Sequence, residues 1–227
     1  MKFTSTIILI LIIQDSLGQI EFTGDSLRNL KYNTIIGHPN FDTVDFVLRY
    51  WIEAGEISGT FAELSLSKNQ QWKYRTGYVN FIERKLIIKD VGLRAIDLDS
   101  TWKALDQLEI LTIKKQVESV WTGTNDVGQS FRVRTKPEIY ESGKGNWYTI
   151  ELIEKDKYRN LLYSDPERII KMYGQIHATS IDHERFVQIS NMLYVKFYIW
   201  KIMKERWSEL YSRTKESEKK EKKSGVN

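Results

Sequence analysis

The 227-residue sequence predicts an α+β fold: an antiparallel β-sheet of hairpins with a short central helix and two C-terminal helices, the last one long. Three observations lead to this prediction. Apolar and polar residues alternate along several segments before residue 164, as they do in half-buried strands. Turn-forming residues separate those segments. Beyond residue 165, apolar residues recur every three or four positions, which is the period of a helix packed against a core.

The first element that we predict is a signal peptide over residues 1–18. Lys2 provides a short positive region, an unbroken apolar run follows, and small residues at Ser16 and Gly18 mark a cleavage site before Gln19. The run is shorter than the roughly 20 residues needed to span a bilayer, so an uncleaved anchor is less favoured. A buried first strand would also explain the run. We expect export, to the periplasm or out of the cell.

Strands paired as hairpins are expected next. The turn-forming segments AGEISGT, SKNQQ and TGTNDVGQ separate them. Within the last segment, Gly123 and Gly128 have the spacing of a phosphate-binding P-loop, but Gln129 stands where the lysine belongs, so we predict a hairpin turn. The residues expected to share one face of the first two strands are Phe46, Leu48, Tyr50, Ile52, Ala62, Leu64 and Leu66.

Three helices complete the prediction. Asp99 or Ser100 caps a short central helix in which apolar residues recur at helical spacing. The other helices are expected at residues 165–178 and 182–213. Pro166 would occupy the first turn of the earlier one, where its missing N–H costs nothing.

Residues 147–163 predict a hairpin in which Ile153 lies opposite Tyr158. Side-chain alternation then places Glu151 and Arg159 on opposite faces of the sheet, so they do not form an ion pair. Arg159 is expected to lay its stem along the apolar face and to keep its guanidinium in solvent.

The second face of this hairpin is a candidate binding site. Trp147, Glu151 and Tyr158 fall on it, which combines two aromatic rings with one carboxylate. Such groups bind a small polar or sugar-like ligand by stacking and hydrogen bonding. The alternative is that they pack beneath another strand or loop.

Composition limits the other possibilities. Residues 19–213 are expected to form a single domain, and residues 214–227, which are rich in Lys and Glu, a charged disordered tail. The formal net charge of +4 does not favour a nucleic-acid partner. The chain has no cysteine, which excludes disulfides and thiol chemistry. The three histidines lack the spacing of a zinc site, so we expect them at surface or capping positions and predict no metal and no cofactor.

A series of short motifs runs along most of the mature chain. They are Gly18-Gln19 at the end of the signal, a strand with Tyr50-Trp51-Ile52, a short helix with Trp102, Tyr148-x-Ile150-Glu151, Tyr158-Arg159, and Tyr163-x-x-Pro166 ahead of the terminal helices. This arrangement resembles small secreted proteins of Bacteroidetes-type bacteria that have no established activity. The resemblance implies a location and a fold class, and it assigns no catalytic residue.

We therefore expect an exported, non-catalytic protein that binds an unknown protein or small polar ligand in the cell envelope. One alternative is a carboxylate-dependent, glycosidase-like hydrolase. It would bring two of Glu53, Glu63 and Glu151 to about 5–10 Å from each other across an open cleft. The other is a peripheral membrane protein attached through the long, lysine-flanked C-terminal amphipathic helix.

Overall fold

The computed structural model describes residues 35–54, 58–80, 82–89, 97–116, 119–134, 146–155, 157–175 and 177–224. The predicted signal peptide lies outside the described residues. The strands are β1 (Val44–Ala54), β2 (Ser58–Ser67), β3 (Trp72–Asn80), β4 (Lys85–Ile88), β5 (Val120–Thr124), β6 (Ser130–Arg134), β7 (Asn146–Glu154), β8 (Lys157–Ser164) and β9 (Ala178–Thr179). The helices are α1 (Leu98–Gln107), α2 (Pro166–Gly174), α3 (Ile181–Lys196) and α4 (Ile199–Ser224).

The strands form two antiparallel sheets, which confirms the predicted α+β class. The large sheet has the order β4-β3-β2-β1-β7-β8, and the small one has the order β6-β5-β9. Strand β1 is central because it pairs with β2 on one side and with β7 on the other. The hairpin β7–β8 therefore extends the first group of strands rather than forming a sheet of its own.

The helices cover one face of the large sheet and close the main core. The predicted face of β1 and β2 lies in this core and meets α1 through Trp102 and Leu105. Helix α3 contributes Phe186, Ile189 and Leu193, each 0% exposed. Burial of each such large apolar side chain stabilises the fold by about 1.5–3 kcal/mol.

The β7–β8 hairpin has the predicted register. Ile153 lies opposite Tyr158, and the ion pair between Glu154 and Lys157 spans the turn at 3.7 Å. The expectation for Arg159 is wrong in one respect. Its guanidinium does not point to solvent. It donates to the carbonyl oxygens of Ile110 and Leu111, which lie in the turn that follows α1.

The small sheet begins with the predicted hairpin of β5 and β6. Gly123 in β5 is required by close approach of β9, because a Cβ at this position would lie 2.6 Å from the carbonyl oxygen of His177. Trp121 of the same strand stacks on Tyr173 of α2, with ring centroids 4.5 Å apart. This stacking attaches the small sheet to the helices.

One histidine is buried, which corrects the expectation of surface or capping positions. His183 is 0% exposed in the first turn of α3, where its ring packs against Trp121 and Tyr163. Its Nε2 donates to the carbonyl oxygen of Pro166 at 2.8 Å. Burial lowers the pKa of His183 to about 4, although the bond to Pro166 opposes the shift, so the ring is neutral at neutral pH.

The C-terminal region contains a break that the sequence does not predict. The helix expected over residues 182–213 is divided, because Tyr198 adopts a left-handed φ of 50° between α3 and α4. Phe197 and Ile199 on either side are both 0% exposed, and burial of both stabilises the break. Helix α4 ends at Ser224, within the segment expected to be a tail, which is rich in the helix-forming residues Lys and Glu. Among the described residues, no helix has the length and apolar character needed to cross a membrane.

Candidate binding site on the polar face of the sheet

Five strands of the large sheet place polar residues side by side on the face opposite the helices. We call these residues the polar row. Strand register sets each member opposite the next, in the order Arg75, Glu63, Arg49, Glu151 and Asn160 on β3, β2, β1, β7 and β8. Because successive side chains alternate between faces, the apolar residues that point to the helices force these neighbours onto the other face. Positive and negative charges therefore alternate across four strands.

Glu63 sits between two arginines and is ionised. Arg49 donates through Nε to Glu63 Oε2 at 2.6 Å, and Arg75 donates through Nε to Oε1 at 2.7 Å and through Nη2 to Oε2 at 3.0 Å. Burial raises the pKa of Glu63, but the bond from Arg75 and the charges of both arginines outweigh it, so the net shift is downward. Arg49 is itself 1% exposed and also donates to the carbonyl oxygen of Gly37 at 2.9 Å.

Glu151 is 0% exposed and accepts hydrogen bonds from side chains on both strands that pair with β7. The Tyr158 hydroxyl donates to Oε1 at 2.7 Å, and Trp51 Nε1 donates to Oε2 at 3.0 Å. Burial raises the pKa of Glu151 more than the bond from Tyr158, the charge of Arg49 and the bond from Trp51 lower it. The two carboxyl groups beside Arg49 thus have pKa values shifted in opposite directions.

The structure brings together two of the three residues predicted to bind a ligand. Glu151 and Tyr158 form a hydrogen bond, whereas Trp147 lies four positions along β7 from Glu151, roughly 13 Å at the rise of a strand. Trp147 packs against the cluster that contains Trp121 and Tyr173. The binding role of the three residues stays a prediction.

Sequence reasoning missed Arg49 and Trp51, the residues that complete this site. The available signal was a charged residue in the middle of the apolar strand sequence FVLRYWI, since a charge there is buried only when it is paired. Arg49 and Trp51 share a face with Glu151 by alternation alone once β1 and β7 are known to pair. That pairing joins residues about 100 positions apart, and the sequence pattern does not reveal it.

Two further buried polar atoms lie on this face near Glu151. Thr149 Oγ1, on the same strand, and Asn160 Oδ1, opposite Glu151, have no hydrogen-bond partner among the residues that the structure describes. Buried polar atoms of this kind are ordinarily satisfied by a protein group, by water or by a ligand. This face of the sheet therefore has two buried oxygen atoms, one of them in the polar row, that can accept a hydrogen bond from a small polar molecule.

The three glutamates considered for a hydrolase all lie on this face. Glu53, Glu63 and Glu151 are 5%, 7% and 0% exposed. Glu63 and Glu151 flank Arg49 on its two neighbouring strands, so their backbones are roughly 10 Å apart at the ordinary strand spacing. Opposed pKa shifts are a feature of acid–base pairs, but here donors of the same chain occupy both carboxylates.

An open depression on the small sheet is a second polar location. It has a volume of about 560 Å³ and lies where β5, β6 and β9 meet. Arg132 and His177 line it together with Thr122, Thr179 and Ser130. These side chains favour contact with a polar or anionic molecule, but none of them is buried, so no group fixes the orientation of a ligand.

Comparison with known proteins gives no further assignment. No protein-family model, curated protein or solved structure matches the chain. In the part of the chain that the structure describes, no three His, Asp or Glu side chains are grouped so as to hold a metal ion. The resemblance to small secreted proteins of Bacteroidetes-type bacteria stays a prediction.

Proposed function

We propose that this chain is an exported, non-catalytic protein that binds a partner or a small polar ligand in the cell envelope. The observation that carries the proposal is the internal pairing of the carboxylates in the polar row. Glu63 accepts from two arginines, and Glu151 accepts from Tyr158 and Trp51. A general acid or a nucleophile must reach the substrate, whereas these groups hold five strands in register.

Export rests on the predicted signal peptide and is tested by its cleavage. The full gene product is expressed in a Gram-negative host, the cell fractions are separated, and the N-terminus of the purified protein is sequenced. We expect a periplasmic or secreted protein that begins at Gln19. The variant Gly18→Arg is the control, because a large charged residue at the cleavage site blocks signal peptidase. An intact leader on a cytosolic protein would overturn the proposal.

The hydrolase remains the second candidate because the pKa values of Glu63 and Glu151 are shifted in opposite directions. Purified protein is assayed on aryl glycosides, esters and a casein substrate, beside the variants Glu63→Gln and Glu151→Gln. We expect no turnover above buffer for any of the three proteins. Turnover that either variant abolishes, while its circular dichroism stays native, would replace the binding function with a hydrolase.

A further inference from the structure

Helix α4 carries exposed aromatic and basic side chains on its outward side. We call this set the aromatic face, and its members are Trp200, Lys204, Trp207, Tyr211 and Lys215. Intervals of four, three, four and four residues keep them on one side of the helix. Trp200, Trp207 and Tyr211 are 43%, 53% and 64% exposed. Large aromatic side chains are seldom left this exposed in a row, and such patches mark interaction sites.

The opposite side of α4 packs on the large sheet. Ile199 and Ile202 are both 0% exposed. Glu209 accepts from the Tyr78 hydroxyl at 2.8 Å and from Lys89 Nζ at 3.3 Å. These contacts fix the rotation of the helix, so the aromatic face points away from the body of the protein.

The packing of α4 on the sheet places Glu205 and Glu209 on a different side of the helix from Lys204 and Lys215. Glu205 and Glu209 both reach Lys89 on the sheet, with carboxylate oxygens 3.7 Å and 3.3 Å from its Nζ, so this lysine offsets part of their negative charge. Lys204 and Lys215 are exposed beside the aromatic rings, and Lys215 lies 4.7 Å from the ring centroid of Tyr211. Between residues 200 and 215, the outward side of the helix therefore combines aromatic rings with two exposed lysines.

Aromatic rings flanked by lysines fit the headgroup region of an anionic membrane. Trp and Tyr rings favour that region because they are apolar with one polar atom, and lysine pairs with the phosphate groups. Protein–protein interfaces are also rich in Trp and Tyr, but lysine is depleted from them. The lysines within the aromatic face thus favour a lipid partner over a protein partner.

We propose that the aromatic face of α4 binds an anionic phospholipid surface, with the helix axis parallel to the membrane plane. The proposal names the partner and therefore rests on the proposed binding function. Because the rings project from one side of a helix that stays packed on the sheet, binding requires no unfolding of the protein.

The absence of cysteine in the chain allows a local test. An environment-sensitive fluorophore is attached to Ser208→Cys, an exposed position at the border of the aromatic face, and to Val127→Cys as the control on the β5–β6 turn. Vesicles contain phosphatidylcholine alone or an equal mixture with phosphatidylglycerol. We expect a blue shift only for the label at position 208 and only with phosphatidylglycerol.

Variants of the aromatic face measure its contribution by co-sedimentation with the same vesicles. Lys204→Gln should weaken binding about fivefold, since each basic side chain near an anionic surface contributes that much. Trp207→Ser should weaken it about tenfold or more through lost apolar burial. Val127→Ser, which removes an exposed apolar side chain on the β5–β6 turn, should change nothing.

Two outcomes would overturn the lipid proposal. One is equal binding of the Trp207→Ser and Val127→Ser proteins, and the other is no sedimentation of the parent protein with phosphatidylglycerol. Either result, with an exported protein cleaved before Gln19, leaves the general binding function standing and rejects only this partner. A cytosolic, uncleaved protein rejects the binding function in the envelope whatever the vesicles show.

Discussion

Replacement of Arg49 by methionine tests the structural role of the polar row. The side chain is 1% exposed and its Nε lies 2.6 Å from Glu63 Oε2. Removal of one partner from a buried ion pair costs about 3–5 kcal/mol. Arg75 still bonds to Glu63 in the variant. We therefore expect Arg49→Met to lower the free energy of unfolding by about 3 kcal/mol, the lower end of this range.

The measurement is urea unfolding followed by tryptophan fluorescence. For an m value of about 2–3 kcal/mol/M, Arg49→Met should lower the midpoint by about 1 M urea. The matched control is Arg132→Met, an exposed strand arginine, which should change the stability by less than about 0.5 kcal/mol.

A double variant separates the ion pair from simple loss of packing. Glu63→Leu alone leaves Arg49 buried without its carboxylate, whereas Arg49→Met combined with Glu63→Leu leaves no buried charge at either position. We expect the double variant to be more stable than the sum of the single losses by about 1–3 kcal/mol. Additive losses would mean that Arg49 and Glu63 do not interact, which would refute the buried ion pair.

Two other perturbations test the buried histidine and the close strand pairing. His183 has a pKa of about 4 in the folded protein against 6.5 ordinarily, so only the unfolded chain takes up its proton between these values. The free energy of unfolding should therefore fall as the pH drops from about 6.5 to about 4, by up to about 3 kcal/mol, and His183→Gln should remove that part of the slope in urea titrations. In Gly77→Ala the new Cβ would lie 2.1 Å from the Ile87 carbonyl oxygen and push β4 away, with a loss of at least about 2 kcal/mol in the same assay. Gly174→Ala, which meets no atom within 4 Å, is its control, and equal stability of the two variants would contradict this account.

Most local elements follow from the sequence because their causes are local, although α1 is capped by Asp97, which accepts from the Ser100 N–H, and not by the predicted Asp99 or Ser100. Alternation of apolar residues defines both faces of β1 and β2, and turn chemistry sets the register of the β7–β8 hairpin with Ile153 opposite Tyr158. Pro166 marks the start of α2 because its ring suits a first helical turn. In each case the residues that decide the structure are neighbours along the chain.

The polar row could be predicted only in part. Sequence alternation separates Glu151 from Arg159 and groups it with Tyr158, and both results hold in the structure. Arg49 and Trp51 were missed because their contact with Glu151 requires β1 to pair with β7, across about 90 residues of intervening chain. The helix break at Tyr198 was not predicted either, because apolar residues keep their helical spacing through it. The break is stabilised by burial of Phe197 and Ile199 in the tertiary structure.

By itself, the sequence determined most of the strands and helices, and which face of the strands is apolar, since these depend on spacing along a few residues. The tertiary structure decided what those faces meet. It set two arginines around Glu63, enclosed Glu151 and His183 and thereby shifted their pKa values, and placed Glu205 and Glu209 of α4 beside Lys89 while it left Trp200 and Trp207 exposed. The physical reason is that desolvation and charge pairing depend on neighbours in space, and long-range strand pairing brings those neighbours together.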